Sequence, residues 1–312
     1  MSIAETGEFG LIARIVARLD AGPATLLGPG DDGAVIAAPD GRVVVSTDVL
    51  VEGRHFRRDW SGPADVGHRA AAANLADIAA MGAVPTALVV GLCVPPDLEV
   101  VWAEELAAGL SAEAALVGAS VVGGDMSASP TLTVAVTVLG DLQGQNPVVR
   151  GGAQPGDVIA LAGRVGYAAA GYTVLSRGFR TPKMLVDAYR RPSVPYAEGP
   201  VAARHGATSM IDVSDGLLQD LGHIATASVV GIDVHSEAFE IPDQMRDAAA
   251  ALGVDPYQWI LIGGDDHALA ATFPPGAPLP AGWRRIGTVH EGTGVTVDRK
   301  PWSGSTGWDH FR

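Results

Sequence analysis

The sequence predicts a protein of two domains in which each domain mixes helices with β-sheet, an α/β or α+β class of fold. The chain has 312 residues, about twice the usual domain length, and 47% of them are hydrophobic, enough for two cores. Strand-like and helix-like stretches alternate in both halves. Between the halves, residues 141–156 are rich in Gly, Gln and Pro and show no periodicity. We therefore expect domains at residues 1–145 and 146–312.

In the first half, hydrophobic spacing predicts an amphipathic helix over residues 8–20. Two β-rich runs follow, residues 34–38 and 42–47, and the turn sequence Pro39-Asp40-Gly41 between them predicts a hairpin. Alanine-rich residues 63–82 predict a helix that ends at Gly82. The remaining pattern predicts a strand at 86–93, a helix at 97–117, and strands at 121–122 and 132–139.

The second half repeats this alternation. Residues 157–162 and 209–213 are apolar runs of strand length, and residues 165–176 have helical composition. Residues 215–227 predict a further helix with Leu217, Leu218, Leu221 and Ile224 on one face. Both halves therefore support the same mixed class.

Charge and cysteine content exclude several kinds of partner and site. There are 35 acidic and 21 basic residues, a formal net charge of -14, and no basic run. Such a surface repels nucleic acid and anionic membranes, so we expect neither as a partner. The lone Cys93 excludes an internal disulfide, and its apolar setting predicts a buried strand. Without a secretion signal or membrane-spanning run in the sequence, we expect a cytoplasmic protein.

Acidic residues recur beside small residues at the ends of predicted strands. Hard oxygen ligands in several loops suit Mg²⁺, which takes one or two carboxylates together with substrate phosphates. The alternatives are a turn for each Asp-Gly pair and a helix cap for Ser214-Asp215. The recurrence favours metal and phosphate binding. The five sites are Gly30-Asp31-Asp32-Gly33, Ser46-Thr47-Asp48, Gly124-Asp125, Asp212-Val213-Ser214-Asp215 and Gly264-Asp265-Asp266.

Asp77 is a sixth candidate. It is the only charged residue in residues 70–84, a predicted helix of alanines and large apolar residues, and its polar neighbour one turn back is Asn74. A buried carboxylate must be paired, hydrogen-bonded or bound to a cation. Asp77 is therefore either a metal ligand or a structural hydrogen-bonding group.

Absent motifs narrow the chemistry. The chain lacks a Gly-x-x-x-x-Gly-Lys-Ser/Thr phosphate loop, and neither Lys183 nor Lys300 follows a glycine-rich turn. His68-Arg69 lacks the Asp of a protein-kinase catalytic loop, and no Asp-Phe-Gly occurs. No His-x-x-x-His pair or Gly-x-Ser-x-Gly elbow is present, so zinc and serine hydrolases are excluded. Phosphate charge must be neutralised by metal ions and arginines.

Taken in order, several segments along the whole chain resemble the thiamine-monophosphate kinase family of the aminoimidazole ribonucleotide synthetase-like superfamily. The segments are GPGDDGAV, STDVLVEGRHF, NLADIAAMGAVP, VVGGDMS, RGGAQPGD, DVSDGLLQDLGHIA, GGDDHAL and GWDHF. The resemblance implies two mixed-sheet domains, dimerisation through the N-terminal domain, and a cleft for ATP and several Mg²⁺ ions. It implies direct phosphoryl transfer from ATP to thiamine monophosphate, giving thiamine diphosphate.

The resemblance also implies roles for individual residues. Metal ligands would be Asp32, Ser46, Thr47, Asp48, Asp77, Asp125, Asp212 and Asp215. ATP contacts would be Gly124, Asp125, Arg150 and Ser214, and substrate contacts His55, Asp265 and Trp308. Catalysis would rest on the Mg²⁺-binding Asp48, Asp77 and Asp125 rather than on a general base. The alternatives are that Trp308 anchors the C-terminus and that His55 is a hydrogen-bonding loop residue.

One segment departs from the family. The family usually has Gly-Gly-Glu-Asp followed by Tyr or Phe, whereas this chain has Gly264-Asp265-Asp266-His267-Ala268. The shorter Asp265 keeps the acid but not its reach. Two other functions therefore stay open: aminoimidazole ribonucleotide synthetase, and a non-catalytic module that binds metal and nucleotide. An internal Cys93 argues against selenophosphate synthetase and the hydrogenase maturation factor, which use a cysteine or selenocysteine near one end of the chain.

Overall fold

The computed structural model describes residues 2–29 and 33–308. It divides into two compact units: Met1–Ile78 with Ala83–Gly144, and Ala79–Gly82 with Gln145–Arg312. Within the described residues, no helix is long and apolar enough to cross a membrane.

The first unit is built on a four-stranded sheet. Its helices are α1 (Ile3–Thr6), α2 (Glu8–Val16), α3 (Pro63–Ala80) and α4 (Val100–Ala115). Its strands are β1 (Thr25–Leu27), β2 (Val35–Ile36), β3 (Val44–Val51), β4 (Val84–Val94), β5 (Ser120–Ala128) and β6 (Thr133–Asp141). The sheet has the order β3-β6-β4-β5, in which β4 and β5 are parallel and the other pairs antiparallel. Strands β1 and β2 form a separate antiparallel pair.

One face of this sheet is buried and the other is exposed. On β6, Val134, Val136 and Val138 are fully buried. Residues one position away on the paired strands, including Val45 and Val49, are exposed. Because side chains alternate along a strand, the sheet has one core face and one outer face.

Helices α3 and α4 pack closely through two glycines. A Cβ at Gly67 would lie 2.1 Å from the Leu106 carbonyl oxygen, and one at Gly109 would lie 2.3 Å from the Ala64 carbonyl oxygen. Only glycine permits this backbone approach. Except for Ala64, the alanines of α3 are buried, since a close helix contact requires small side chains.

The second unit has a seven-stranded sheet of order β13-β12-β9-β11-β7-β10-β8, antiparallel except where β12 pairs with β9. Its strands are β7 (Val158–Ala162), β8 (Ser209–Val213), β9 (Gly231–Val234), β10 (Ala268–Phe273), β11 (Trp283–His290), β12 (Gly294–Val297) and β13 (Lys300–Pro301). Its helices are α5 (Tyr167–Ser176), α6 (Lys183–Arg190), α7 (Glu198–Arg204), α8 (Leu217–Ser228), α9 (Asp243–Leu252) and α10 (Pro256–Ile262). The predicted strand at 209–213 and the predicted apolar face of α8 are both confirmed.

The predicted hairpin at residues 34–47 is wrong. Gly41 does form a turn, with φ of 68° and its N–H bonded to the Ala38 carbonyl. The strands on either side, however, take different partners, because β2 pairs with β1 whereas β3 pairs with β6. A turn signal predicts a change of direction but does not determine strand pairing.

Other predicted elements differ in length. The helix predicted at 8–20 ends at Val16, and Gly82, with φ of 75°, follows the last turn of α3. Strand β5 extends to Ala128, well beyond the predicted 121–122. Cys93 lies on β4 as predicted but is half-buried, because it belongs to the outer face in register with Thr133.

Candidate active site

Strand β3 and helix α3 bring three predicted metal ligands of the first unit together. The Ser46 hydroxyl donates to Asp77 Oδ2 at 2.6 Å. The N–H of Asp48 donates to Asn74 Oδ1 at 3.1 Å, and the Asn74 amide donates in turn to the Ala70 carbonyl at 2.8 Å. Asp77 is half-buried rather than fully buried. Two hydrogen bonds thus join β3 to α3, one from the Ser46 side chain to Asp77 and one from the backbone of Asp48 to Asn74.

The side chains of Thr47 and Asp125 lie on the other face of the same sheet. Thr47 Oγ1 donates to the Val136 carbonyl at 3.0 Å and accepts from Thr137 Oγ1 at 3.1 Å. Asp125 is exposed on the edge strand β5, in register with Gly91. Neither Asp48 nor Asp125 ends a strand as the sequence predicted, because β3 and β5 continue past them.

His55 lies in the turn that follows β3. Its backbone N–H donates to the Val51 carbonyl, and the N–H of Val51 donates to ring Nδ1, both at 2.9 Å. Because Nδ1 accepts a hydrogen bond, the neutral ring carries its proton on Nε2. The turn therefore selects the tautomer that presents a donor at the far end of the ring.

A cavity of about 570 Å³ lies beside the edge strand β5. Helix α2 contributes Ile12, Ile15 and Val16, so most of the wall is apolar. Gly124 and Asp125 line the cavity from β5. A Cβ at Gly124 would lie 2.1 Å from the Val90 carbonyl oxygen, so the strands pack too closely there for any larger residue.

In the second unit, predicted site residues gather where β8 ends. Asp212 is the fourth residue of β8 and is buried, and Ser214 and Asp215 follow in a turn that leads into α8. The loop before β10 is attached to this turn through backbone hydrogen bonds. Asp265 N–H donates to the Ser214 carbonyl at 2.8 Å and His267 N–H to the Val213 carbonyl at 3.1 Å. Backbone hydrogen bonds therefore join two loops that are far apart in sequence.

Gly264 permits this attachment. A Cβ there would lie 2.1 Å from the Ser214 carbonyl oxygen. The next residue, Asp265, has φ of 68°, in the left-handed region. The sequence predicted that this segment ends a strand. That prediction is wrong, because helix α10 precedes the segment.

The neighbouring acids Asp265 and Asp266 have different environments. Asp265 is half-buried, whereas Asp266 is buried and its Oδ1 accepts from the N–H of Ala168 at 3.0 Å, near the start of α5. Burial raises the pKa of Asp266 to about 7, although the Ala168 hydrogen bond and the Arg164 charge oppose the shift. Asp266 is therefore a structural cap of a helix supplied from a distant loop.

Asp220 is a buried acid that the sequence analysis did not select. Its Oδ2 accepts from the N–H groups of Asp215 and Gly216 at 3.1 and 3.0 Å. Burial, followed by the charge of Asp212, raises its pKa to about 7. It lies one turn into α8 and holds the backbone that carries Asp215. The sequence feature that could have indicated this role is the position of Asp220, four residues after Gly216 in the first turn of a helix.

His267 is a second residue that the sequence analysis left without a role. It is buried, and its Nδ1 lies 3.1 Å from Asp212 Oδ2. Asp212 pairs with Leu269 across β8 and β10, so His267 is its diagonal neighbour on the same face. Sequence alone could not pair residues 55 positions apart.

The last described residues pack against α8. Trp308 N–H donates to the Asp215 carbonyl at 2.9 Å, and the Gln219 amide donates to the Trp308 carbonyl at 2.8 Å. These contacts anchor the segment while half of the Trp308 side chain stays exposed. Anchoring and ligand binding are therefore compatible for this residue.

Two predicted residues are not part of these groups. Arg150 is exposed in a turn that lies at the start of β8, where Met210 N–H donates to the Val149 carbonyl. Four strand residues, roughly 13 Å, separate that end from Ser214. Asp32 lies outside the described residues.

Within the described part of the chain, no three His, Cys, Asp or Glu side chains converge enough to hold a metal ion by themselves. Oxygen donors instead occur in small groups, Ser46, Asp48 and Asp77 in one unit and Asp212 and Asp215 in the other. Small groups suit a cation that keeps several waters and shares its coordination with phosphates.

Comparison with known proteins adds independent information. Residues 30–142 match the family model for the N-terminal domain of AIR synthase related proteins, and residues 154–299 match the corresponding C-terminal domain. The thiamine-monophosphate kinase of Mycobacterium tuberculosis is 49% identical over 99% of this chain and 93% of its own. That of Corynebacterium glutamicum is 41% identical over 90% of this chain and 88% of its own.

Solved structures have the same fold. The structure of AaThiL complexed with AMPPCP and TMP has a TM-score of 0.82 and 32% identity, covering 100% of this chain and 99% of its own. The hydrogenase maturation protein HypE of E. coli has a TM-score of 0.70 at 18% identity, a likeness of fold alone.

Proposed function

The chain belongs to the thiamine-monophosphate kinase family, and we propose that it transfers the γ-phosphoryl group of ATP to thiamine monophosphate. A terminal oxygen of the acceptor phosphate forms a bond to Pγ while the bond from Pγ to the β,γ-bridging oxygen breaks. The products are thiamine diphosphate and ADP. The similarity over the full chain to curated kinases, at 49% identity, is the observation that carries this conclusion.

The reaction needs no strong general base. A phosphate monoester has a second pKa of about 6, so the acceptor is mostly a dianion at neutral pH and is already a nucleophile. The obstacle is repulsion between two polyanions. The protein therefore has to position both substrates and neutralise their charge.

Mg²⁺ would supply that neutralisation and align the two phosphates. In the first unit, Ser46 and Asp77 present hard oxygen atoms in a hydrogen-bonded pair, and Asp48 lies two residues beyond Ser46 on the same strand. In the second unit, Asp212 and Asp215 do so at the end of β8. Asp32, Thr47 and Asp125 remain proposed ligands, Thr47 and Asp125 from the opposite sheet face.

The cavity beside β5 suits the nucleotide. Its apolar wall from α2 fits a flat heteroaromatic ring, and Gly124 and Asp125 line the cavity from β5. Arg150 and Ser214 are proposed as further ATP contacts; Arg150 presents an exposed side chain.

The acceptor site is proposed to include His55, Asp265 and Trp308. His55 presents Nε2–H, a donor for phosphate oxygen. Trp308 has an exposed aromatic face, which attracts a cationic heteroaromatic ring such as the thiazolium of thiamine. Asp265 is held in place by the hydrogen bond from its backbone N–H to the Ser214 carbonyl.

We further propose a homodimer formed through the outer face of the first sheet. On this face Val45, Val49 and Val89 are 64%, 47% and 39% exposed. A large exposed apolar patch on a sheet marks an interaction surface.

The lone, half-buried Cys93 also suits a reducing compartment, and we place the protein in the cytoplasm.

Val49→Lys tests the dimer. A charge on the outer face should convert dimers to monomers in sedimentation velocity runs. Val101→Lys is the matched control, because Val101 is 48% exposed on helix α4 and lies off this face. If Val49→Lys sediments as the unchanged protein does, the outer face is not the interface.

The catalytic proposal is tested by incubating the purified protein with ATP, Mg²⁺ and thiamine monophosphate and quantifying thiamine diphosphate by chromatography. Thiamine in place of its monophosphate, and a sample with chelator, are the controls. Product that requires both the monophosphate and the metal supports the assignment. ATP binding without product contradicts it and favours a binding module or another phosphate acceptor.

A further inference from the structure

We propose that His267 is a positioning residue for Asp212: its ring N–H fixes the Asp212 carboxylate in the orientation that binds the metal ion. The inference rests on the proposed function, because it takes Asp212 to be a metal ligand.

The geometry is that of a hydrogen bond. Nδ1 of His267 lies 3.1 Å from Oδ2 of Asp212. An ionised carboxylate can only accept, so in this pair Nδ1 carries the hydrogen. One of the two Asp212 oxygens is therefore engaged, which restricts rotation of the carboxylate about its own axis.

The surroundings hold the histidine itself in place. His267 is 5% exposed, and Asp212 is also 5% exposed. The backbone N–H of His267 donates to the Val213 carbonyl, and its φ of 51° is unusual for a residue other than glycine. Backbone strain of this kind persists only where neighbouring contacts determine the conformation, and it is common at functional sites.

A second residue restrains the neighbouring acid. Asp220 accepts from the backbone N–H groups of Asp215 and Gly216. His267 thus acts on the side chain of one proposed ligand, whereas Asp220 acts on the main chain of the other. Partners that orient metal ligands in this way typically change metal affinity by about 10- to 100-fold when removed.

Two substitutions separate the hydrogen bond from packing. His267→Asn places an amide N–H on Cγ, where Nδ1 is attached, and so can keep the donor. His267→Phe keeps a ring of similar size but removes the donor. Mn²⁺ binding, followed by electron paramagnetic resonance in the presence of a non-hydrolysable ATP analogue, reports on the site independently of turnover.

We expect His267→Phe to weaken Mn²⁺ binding about 10-fold and to raise the Mg²⁺ concentration needed for half-maximal activity in parallel. His267→Asn should stay within about threefold of the unchanged protein. Equal Mn²⁺ affinity in His267→Phe, or equal loss in both variants, overturns the proposal. Thermal unfolding of each variant excludes a general loss of structure.

The unsubstituted protein provides a test that does not depend on folding of a variant. In ¹⁵N-labelled protein, the ring of His267 should show its hydrogen on Nδ1; the Nε2–H tautomer would overturn the inference. Asp212→Asn distinguishes a failure of the metal role of Asp212 from a failure of the proposed function. If it leaves Mn²⁺ binding unchanged, the metal role of Asp212 fails and the role of His267 with it, whereas kinase activity in the unchanged protein still supports the proposed function.

Discussion

The two groups of acids in this protein are positioned by different means. In the first unit, Ser46 and Asp48 lie on β3, Asp77 lies on α3, and side-chain hydrogen bonds connect the strand to the helix. In the second unit, Asp212 lies one residue before the end of β8, and Asp215 and Asp265 lie in loops joined through the backbone. The first arrangement depends on regular secondary structure, and the second depends on a tertiary contact between distant loops.

This difference predicts how each group responds to substitution. A residue on β3 or α3 can lose its charge while the scaffold persists. A change in the backbone contact of the second unit should disturb several proposed ligands together. Four substitutions test this contrast.

The largest effect is expected for Asp77→Asn. The amide oxygen can still accept from Ser46, so the fold should persist, but the charge that would hold Mg²⁺ is lost. We expect activity to fall at least about 100-fold and the Mg²⁺ requirement to rise, as measured by steady-state assays across a Mg²⁺ titration. Glu105→Gln, which removes the charge of an exposed acid on helix α4, is the control. Full activity of Asp77→Asn at ordinary Mg²⁺ would contradict the metal assignment.

Gly264→Ala should disrupt the second group as a whole. Its Cβ would lie 2.1 Å from the Ser214 carbonyl oxygen, so the loops must separate. We expect the free energy of unfolding to fall by about 1–3 kcal/mol, measured by urea denaturation, with loss of activity. Gly222→Ala within α8 meets no atom within 4 Å and should be neutral or stabilising. If both variants behave alike, the close approach of the two loops is not required.

Trp308→Ala should affect the acceptor more than the chemistry. The backbone contacts of this segment do not need the indole, but the exposed ring is lost. We expect KM for thiamine monophosphate to rise about 5- to 10-fold, because a stacked cation contributes about 1 kcal/mol. The turnover number should stay within about twofold, and Trp308→Phe should recover most of the affinity. An unchanged KM in the alanine variant would leave only the anchoring role.

The smallest effect is a pH dependence in the second unit. Burial raises the pKa of Asp266 from 3.8 to about 7. Between these values the folded state binds more protons than the unfolded state, so this residue lowers stability as pH rises from about 4 to 7, with no further change above. Asp266→Asn cannot ionise and keeps an acceptor for Ala168 N–H.

Urea denaturation at pH 5 and pH 8 measures this effect. Relative to the unchanged protein, Asp266→Asn should be more stable at pH 8 than at pH 5, by about 1 kcal/mol or more. A pH-independent difference between the two proteins would show that Asp266 is ionised throughout this range.

Patterns within one segment determined much of this protein. The spacing of Leu217, Leu218, Leu221 and Ile224 fixes a helix and its buried face, and the apolar run 209–213 forms a strand with the same bounds. The order of acidic motifs along the chain was enough to indicate the family, which the relatives confirm. These features are local because hydrophobic periodicity and motif spacing are properties of short stretches of sequence.

Only the tertiary structure determined which strands pair and which side chains form hydrogen bonds with each other. The turn at Gly41 joins two strands that belong to different sheets. Adjacent Asp265 and Asp266 have unlike roles because one is held beside Ser214 and the other caps α5. Asp212 meets His267 only because β8 and β10 pair, and Asp220 is a buried acid only because α8 packs against the end of β8. Sequence specifies which groups are present, whereas hydrogen-bond partners and burial depend on which distant segments the fold brings into contact.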